Sequence, residues 1–373
     1  MAYCYFVSFL VYFSCPFFAQ KGCFHLASTI RDVAKAANVS VSTVSLVLRG
    51  KKCRIADPTR QRILEAAEQL NYIPNQIAVS LVTKKTRTIG LIYSDMLNPF
   101  YAELAVGLER SAQARGYSLL ICNCDNNVER CIQNINLLQS RCIDGFVLQP
   151  PASINANPEH LKALHRQLQN CSIPYTILDC AIHDVFHDYV AADHRLGGQL
   201  VAEYLVSLGH RNIGCITGNV TDYATQHRLE GFRKVLATHG IPFTEDQVYY
   251  GQYLIECGYL GANELFRKDV TAIFAFSDLI AIGVQKAASE HKISIPQDLS
   301  LVGYNDSLYA NLCPVPLTTI HQPIELLGNR SFEILMDRIQ NPNREHQDYL
   351  YPPALIQRAS CTVPRPGPIC LLT

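Results

Sequence analysis

The sequence predicts two parts of different class: a small all-α helix-turn-helix head and a larger α/β body of two lobes. Three observations predict this. Residues 28–81 carry short helical apolar patterns separated by tight turns. From residue 88 onward, short β-rich apolar runs alternate with amphipathic stretches, the pattern of parallel sheets covered by helices. The 373-residue length leaves more chain in the body than one sheet requires.

In the head, Thr29 is placed to cap a helix over 30–37, with Asp32 in its first turn. Val33, Ala34 and Ala37 fall on one face, and the two alanines allow a second helix to come close. Asn38 sits where a tight turn needs left-handed backbone, which Asn tolerates. Ser40 then caps a helix over 41–49 whose buried face is Val44, Val47 and Leu48. Asp57 is expected to cap a third helix, with Pro58 in its first turn and an apolar stripe of Ile63, Leu64, Ala67 and Leu70.

In the body the expected strands are IGLIYS, SLLIC, GFVLQ, YTILD, YVAAD, NIGCIT, AIFAF and LSLVGY. Amphipathic stretches at 101–115, 195–208, 226–239 and 278–290 supply helices between them, and a further strand precedes 254–267. In sheets of this kind ligands bind beyond the carboxyl ends of the strands, and a cleft between lobes is the natural place. Asp95, Asn98 and Phe100 follow the first strand, Asp179 ends another, and Arg228, Tyr253 and Asp278 lie near others, which makes them candidate ligand contacts. Carboxylates and Arg pair with vicinal hydroxyls, and an aromatic face covers the C–H side of a sugar. Asp278 and Asn98 could equally cap helices, and Arg228 could be a surface ion-pair partner.

Charge and composition narrow the function. The net charge is zero, but residues 28–88 hold eleven Lys/Arg against four Asp/Glu, while 89–373 carry a net −8. A basic head on an acidic body implies a polyanionic partner for the head alone. The fifteen cysteines are scattered without C-x-x-C or zinc-finger spacing. They read as small hydrophobes of a reducing cytoplasm, among them Cys122, Cys142 and Cys215, with no metal or cofactor expected. Residues 1–20 have no charge and lack the basic start of a signal peptide; they are expected to be translated upstream sequence, with a membrane anchor as the alternative. There is no G-x-S-x-G elbow and no phosphate-cradling glycine loop, so an enzyme is not expected.

The segments DVAKAANVSVSTVSLVL and NYIPN, followed by QIAVSL, resemble the lactose/galactose repressor (LacI/GalR) family, and STVSLVLRGKKCRI and NPFYAEL are similar to its maltose-regulon branch. The resemblance runs from Ser28 to Pro364 and implies a hinge helix after the head and a periplasmic-binding-protein-like body crossed three times by the chain. It implies an extension at 1–27, a DNA-binding head at 28–74, a hinge helix and linker at 75–87, an effector and dimerisation body at 88–364, and a tail at 365–373. The first lobe would comprise 89–190 plus the helix after Pro323, and the second 191–318 plus the C-terminal strand region.

The resemblance also assigns roles. Val41, Ser42 and Leu46 would reach base edges; Thr43, Ser45, Arg49 and Asn75 would touch phosphates; Ser40 and Tyr72 belong to the same DNA-binding set. Many relatives carry Arg where this chain has Leu46, and Leu cannot donate two hydrogen bonds to guanine but can contact a thymine methyl. Ala78 and Leu81 would lie on the hinge helix, with Leu81 wedged into the minor groove. Asp179, Arg228, Tyr253 and Asp278 match effector-contacting positions. The expected protein is a cytoplasmic homodimeric repressor of carbohydrate-utilisation genes, bound to a pseudo-palindromic operator and controlled by a sugar or sugar phosphate. A secreted or membrane-anchored sugar-binding protein for transport is the alternative. The sugar, the sign of the response, the operator and the regulated genes are not legible.

Overall fold

The computed structural model describes residues 28–49, 54–180 and 188–367. The chain forms two compact units that meet in sequence at Lys84 and Lys85, inside the expected linker. The extension at 1–27 lies outside the described residues. Among the described residues no helix is long and apolar enough to cross a membrane.

The head contains α1 (Ile30–Ala36), α2 (Val41–Leu48), α3 (Asp57–Gln69) and α4 (Gln76–Thr83). Asp32 Oδ2 accepts from the Thr29 amide at 2.8 Å and from its hydroxyl at 2.7 Å, closing the start of α1 and holding the Asp32 carboxyl below its usual pKa. Asn38 takes φ +50°, the left-handed step that separates α1 from α2. Ser40 Oγ accepts from the Thr43 amide at 3.2 Å. Val33, Ala34, Ala37, Val44, Val47, Ile63, Ala66 and Ala67 form the core.

Two expectations in the head are corrected. The cap of α3 is Ala56, and Asp57 is its first residue, where the carboxylate faces the positive end of the helix rather than a particular amide. Leu64 is 43 % exposed, and Ala66 takes its place on the buried stripe, because a three-helix core this small admits an alanine where α3 approaches its neighbours.

The body is built on two six-stranded sheets. The first uses β1 (Thr88–Tyr93), β2 (Ser118–Asn123), β3 (Gly145–Leu148), β4 (Tyr175–Leu178) and β5 (Asp188–Ala192), and the second uses β6 (Ile213–Thr217), β7 (Val248–Tyr250), β8 (Ala272–Ala275), β9 (Ser300–Asn305) and β10 (Thr318–His321). The last strands divide between them: β11 (Asp348–Tyr351) joins the first sheet and β12 (Ala354–Ile356) the second. The strand orders are β11-β5-β4-β3-β1-β2 and β12-β10-β9-β8-β6-β7. All pairings are parallel except β10 with β12.

All eight runs read as strands from sequence form strands. The C-terminal region, expected wholly in the second lobe, is shared, because β11 pairs with β5. Asp188 fixes that edge: its carboxylate takes Arg338 and Arg344, at 3.0 and 2.9 Å, while fully buried.

Helices α5 (Pro99–Ala114), α6 (Val128–Ser140), α7 (Pro158–Gln169) and α13 (Ile324–Gln340) cover the first sheet. Helices α8 (His194–Ser207), α9 (Tyr223–Thr238), α10 (Ile255–Phe266) and α11 (Asp278–Glu290) cover the second, and the short α12 (Leu308–Leu312) follows β9. Two helix pairs approach to backbone contact at glycine. A Cβ on Gly198 would lie 2.0 Å from the Arg228 carbonyl oxygen, and one on Gly231 would lie 1.9 Å from that of Arg195. Gly258 and Gly283 make the same reciprocal arrangement between α10 and α11.

The chain passes between lobes three times, and every passage is short. Asp193 alone separates β5 from α8, Gln322 and Pro323 separate β10 from α13, and Pro352 and Pro353 separate β11 from β12. Cys122 and Cys215 are buried as expected, but Cys142 is exposed, in a left-handed turn just beyond α6.

Candidate effector cavity and nucleic-acid face

The carboxyl ends of strands from both sheets surround a cavity of about 540 Å³, a size ordinary for a small-molecule site. Of the seven residues singled out from sequence, Asp95, Asn98, Phe100, Asp179, Arg228 and Tyr253 line it. Asn98 also caps α5, accepting from the Phe100 amide at 3.1 Å. Asp95 closes the turn before α5 by accepting from the Leu97 amide at 2.9 Å.

Arg228 is the centre of the site. Its α9 position is 4 % exposed. Nη1 donates to the Phe276 carbonyl at 2.5 Å, and the guanidinium lies 3.6 Å over the Tyr304 ring. Nε and Nη2 point at His194 Nδ1, at 3.4 and 3.3 Å. His194 Nε2 in turn lies 3.0 Å from Asp179 Oδ1. Burial pushes the His194 pKa down, so a neutral imidazole donates from Nε2 to Asp179 and accepts at Nδ1 from Arg228. Both buried charges are thereby oriented through one neutral ring.

Tyr253 is held by a 2.9 Å hydroxyl contact with Thr225. Its ring lies against Gly218, where a Cβ would approach it to 2.4 Å.

Asp278 is the exception. It is 1 % exposed and lies outside the cavity. Oδ2 accepts from the Ser307 amide and hydroxyl at 2.7 and 2.9 Å, and Oδ1 from Thr319 at 2.7 Å. With both oxygens used, Asp278 ties α11 to β10 and to the turn after β9; burial raises its pKa to about 6 against those hydrogen bonds.

Sequence reasoning missed Tyr101, Gln149, Asp222 and Gln322, which also line the cavity, and His194 behind it. Gln149 and Gln322 follow strands directly, and Asp222 lies in the loop after β6. The strand-end rule covers all three, but nothing in their sequence surroundings separates them from other polar residues that follow strands. Asp222 is the N-cap of α9 yet its side chain caps nothing. Burial raises its pKa to about 7, opposed by Arg228 and assisted by Asp179.

The head presents a separate surface. Ser40, Val41, Ser42, Thr43, Ser45, Leu46 and Arg49 all lie on α2 or its caps. Val41 and Leu46 are 40 % and 39 % exposed, an apolar display on an otherwise hydroxyl-bearing face. The Ser40 hydroxyl meets those of Ser42 and Thr43 at 2.8 Å each. Tyr72 packs partly into the head core. Asn75 precedes α4, and Ala78 and the 79 %-exposed Leu81 lie on it.

Comparison with known proteins follows the same division. Residues 29–75 match the model for bacterial regulatory proteins of the lacI family, and residues 202–361 match that for the periplasmic binding protein-like domain. The chain is 33 % identical over 335 residues to the ribose operon repressor of Haemophilus influenzae, covering 89 % of this chain and 98 % of the relative. It is 32 % identical to the transcriptional repressor PurR of Vibrio cholerae, covering 89 % and 97 %. The solved lac repressor dimer bound to operator and the anti-inducer ONPF superposes with a TM-score of 0.81 at 26 % identity, over 90 % of this chain and 99 % of that one. The cellobiose complex of the regulator CelR superposes with a TM-score of 0.67 at 27 % identity, over 89 % and 99 %. With its helix-turn-helix head, its two-sheet body and full-length relatives above 30 % identity, the chain belongs to the lacI family of bacterial regulatory proteins.

Proposed function

We infer that the protein is a sequence-specific transcriptional repressor of carbohydrate-utilisation genes, acting in the cytoplasm as a homodimer and controlled by a sugar-like effector. The observation that carries this reading is one chain holding both a helix-turn-helix head and a polar cavity beside short interlobe crossings. Transport gives such a head no role. The cavity is read as a sensor without turnover: effector binding favours one lobe arrangement over another and so alters operator affinity. Val41, Ser42 and Leu46 are assigned to base edges, Ser40, Thr43, Ser45, Arg49, Tyr72 and Asn75 to phosphate contact and register, and Ala78 and Leu81 to the minor groove.

Among the described residues the lining carboxylates Asp95, Asp125, Asp179 and Asp222 outnumber the one basic side chain, Arg228. Of a sugar and a sugar phosphate, this favours the unphosphorylated one, since a phosphate would add negative charge to a site already rich in carboxylates.

A mobility-shift assay on the gene's own upstream DNA tests the reading. A specific complex is expected, with log affinity falling by about 0.9 per phosphate neutralised for each tenfold rise in salt. A sugar panel in the same assay is expected to release or tighten it. Absence of any specific, salt-sensitive complex overturns the reading. Leu81→Ala is expected to weaken operator binding about tenfold, because a wedge that unstacks a base step costs and returns a few kcal/mol. Unchanged affinity would remove Leu81 from the groove.

A further inference from the structure

We propose that the effector carries a positively charged amino group, as an amino sugar does, and that this group sits between the carboxylates of Asp179 and Asp222 beside the rings of Tyr101 and Tyr253. The proposal rests on the sugar-sensing reading above and sharpens the ligand it names.

The first observation is Asp222 itself. It occupies the N-cap of α9, where an Asp ordinarily accepts from an amide of the first turn. Here its side chain makes no capping bond and lines the cavity instead. The second is the charge the cavity leaves uncompensated. Asp125 is paired with Arg130 at 2.6 Å. Asp179 meets only the neutral His194, and Asp95 spends one oxygen on a backbone amide. Among the described residues Arg228 is the one basic side chain of the lining, and its hydrogen bonds go to the Phe276 carbonyl and to His194. Its flat face rests on Tyr304. The guanidinium is thus held on the wall by neutral groups, and an occupant meets an excess of negative charge.

A third observation is the polar wall beside them. Gln322 is 1 % exposed and lines the cavity; Nε2 donates to Asn305 Oδ1 at 2.7 Å, while Oε1 is buried and has no hydrogen-bond partner among the described residues.

The aromatic lining completes the chemistry. Tyr101 and Tyr253 both lie within electrostatic reach of Asp179 and Asp222. Carboxylates combined with ring faces suit a cation, which gains from the ring quadrupole as well as from charge. An ammonium brings three donors and no acceptor, which matches acceptors that the fold itself leaves unused. Burial and the nearby Asp179 raise the Asp222 pKa to about 7, against the pull of Arg228.

The test is calorimetry on the full chain at pH 7.5 with common aldoses, their 2-amino and 6-amino derivatives and their phosphates, in wild type and Asp222→Asn. The expected result is at least one amino derivative binding about tenfold or more tighter than its parent sugar. In Asp222→Asn that advantage is expected to shrink to within about threefold. A melting curve for the variant checks its fold. Parent sugars that bind as tightly as their amino derivatives, or phosphates that bind tightest, overturn the proposal while leaving the sugar-sensing reading intact. If no compound of any of the three classes binds, the sugar-sensing reading falls and the proposal with it.

Discussion

Gly231→Ala is expected to destabilise the protein by about 3 kcal/mol, at the upper end of the range for overpacking a tight interior. The added methyl carbon would sit 1.9 Å from the Arg195 carbonyl oxygen. That obstacle is backbone, so no rotamer change relieves it. Gly198 faces Arg228 across the same crossing with the same absence of room. The two helices must therefore separate or tilt along their length, uncovering the apolar side chains Val201, Leu205, Phe232 and Leu236 packed beneath them. Urea denaturation measures the loss, and a melting temperature lower by about 5–10 °C accompanies it. Because α9 also carries Arg228 and begins at Asp222, effector binding is expected to weaken in the same variant. A change below about 1 kcal/mol would mean that α8 and α9 can part freely.

Arg228→Met has the largest expected effect on function: effector affinity falls at least about a hundredfold, because the guanidinium that orients His194, and through it Asp179, in the cavity wall is lost. The methionine keeps much of the stem's volume over Tyr304 but cannot donate. The Phe276 carbonyl and His194 Nδ1 each lose a donor. Some stability is lost as well, about 2–4 kcal/mol. Arg228→Lys separates charge from geometry. Lysine restores the positive charge but not the planar fork that serves Phe276, His194 and the ring together. It is expected to recover stability more than affinity. In a shift assay the effector's influence on operator affinity is expected to vanish in Arg228→Met. Retention of a normal response would place the effector away from Arg228.

Much of this was legible in the sequence, for identifiable reasons. The head's turns depend on residues with narrow chemical uses, so Thr29, Asn38 and Ser40 declared their positions. Buried parallel strands are continuous apolar runs, and all eight chosen were strands. β11 was harder to place: DYLY is short and half-exposed, and its sheet is decided by pairing with a segment far away in the chain. Asp278 shows the other limit. Its position beyond a strand end is that of a ligand contact, but only three-dimensional packing shows Ser307 and Thr319 taking both its oxygens. His194 was hidden for a related reason, since its importance lies in bridging two residues already chosen.

The three brief passages between lobes limit how the body can move. At roughly 3.3–3.6 Å per residue, links of one or two residues pin the neighbouring strand ends close together. Two of the three contain proline, whose fixed φ removes much of the remaining slack. Such short links restrict sliding and separation of the lobes more than pivoting about the pinned line. Displacement in such a lever grows with distance from the fulcrum. Gln322, on one of the pinned links, is also part of the cavity wall. A ligand held there works at the short arm, where a fraction of an ångström of closure is magnified at the far ends of both lobes.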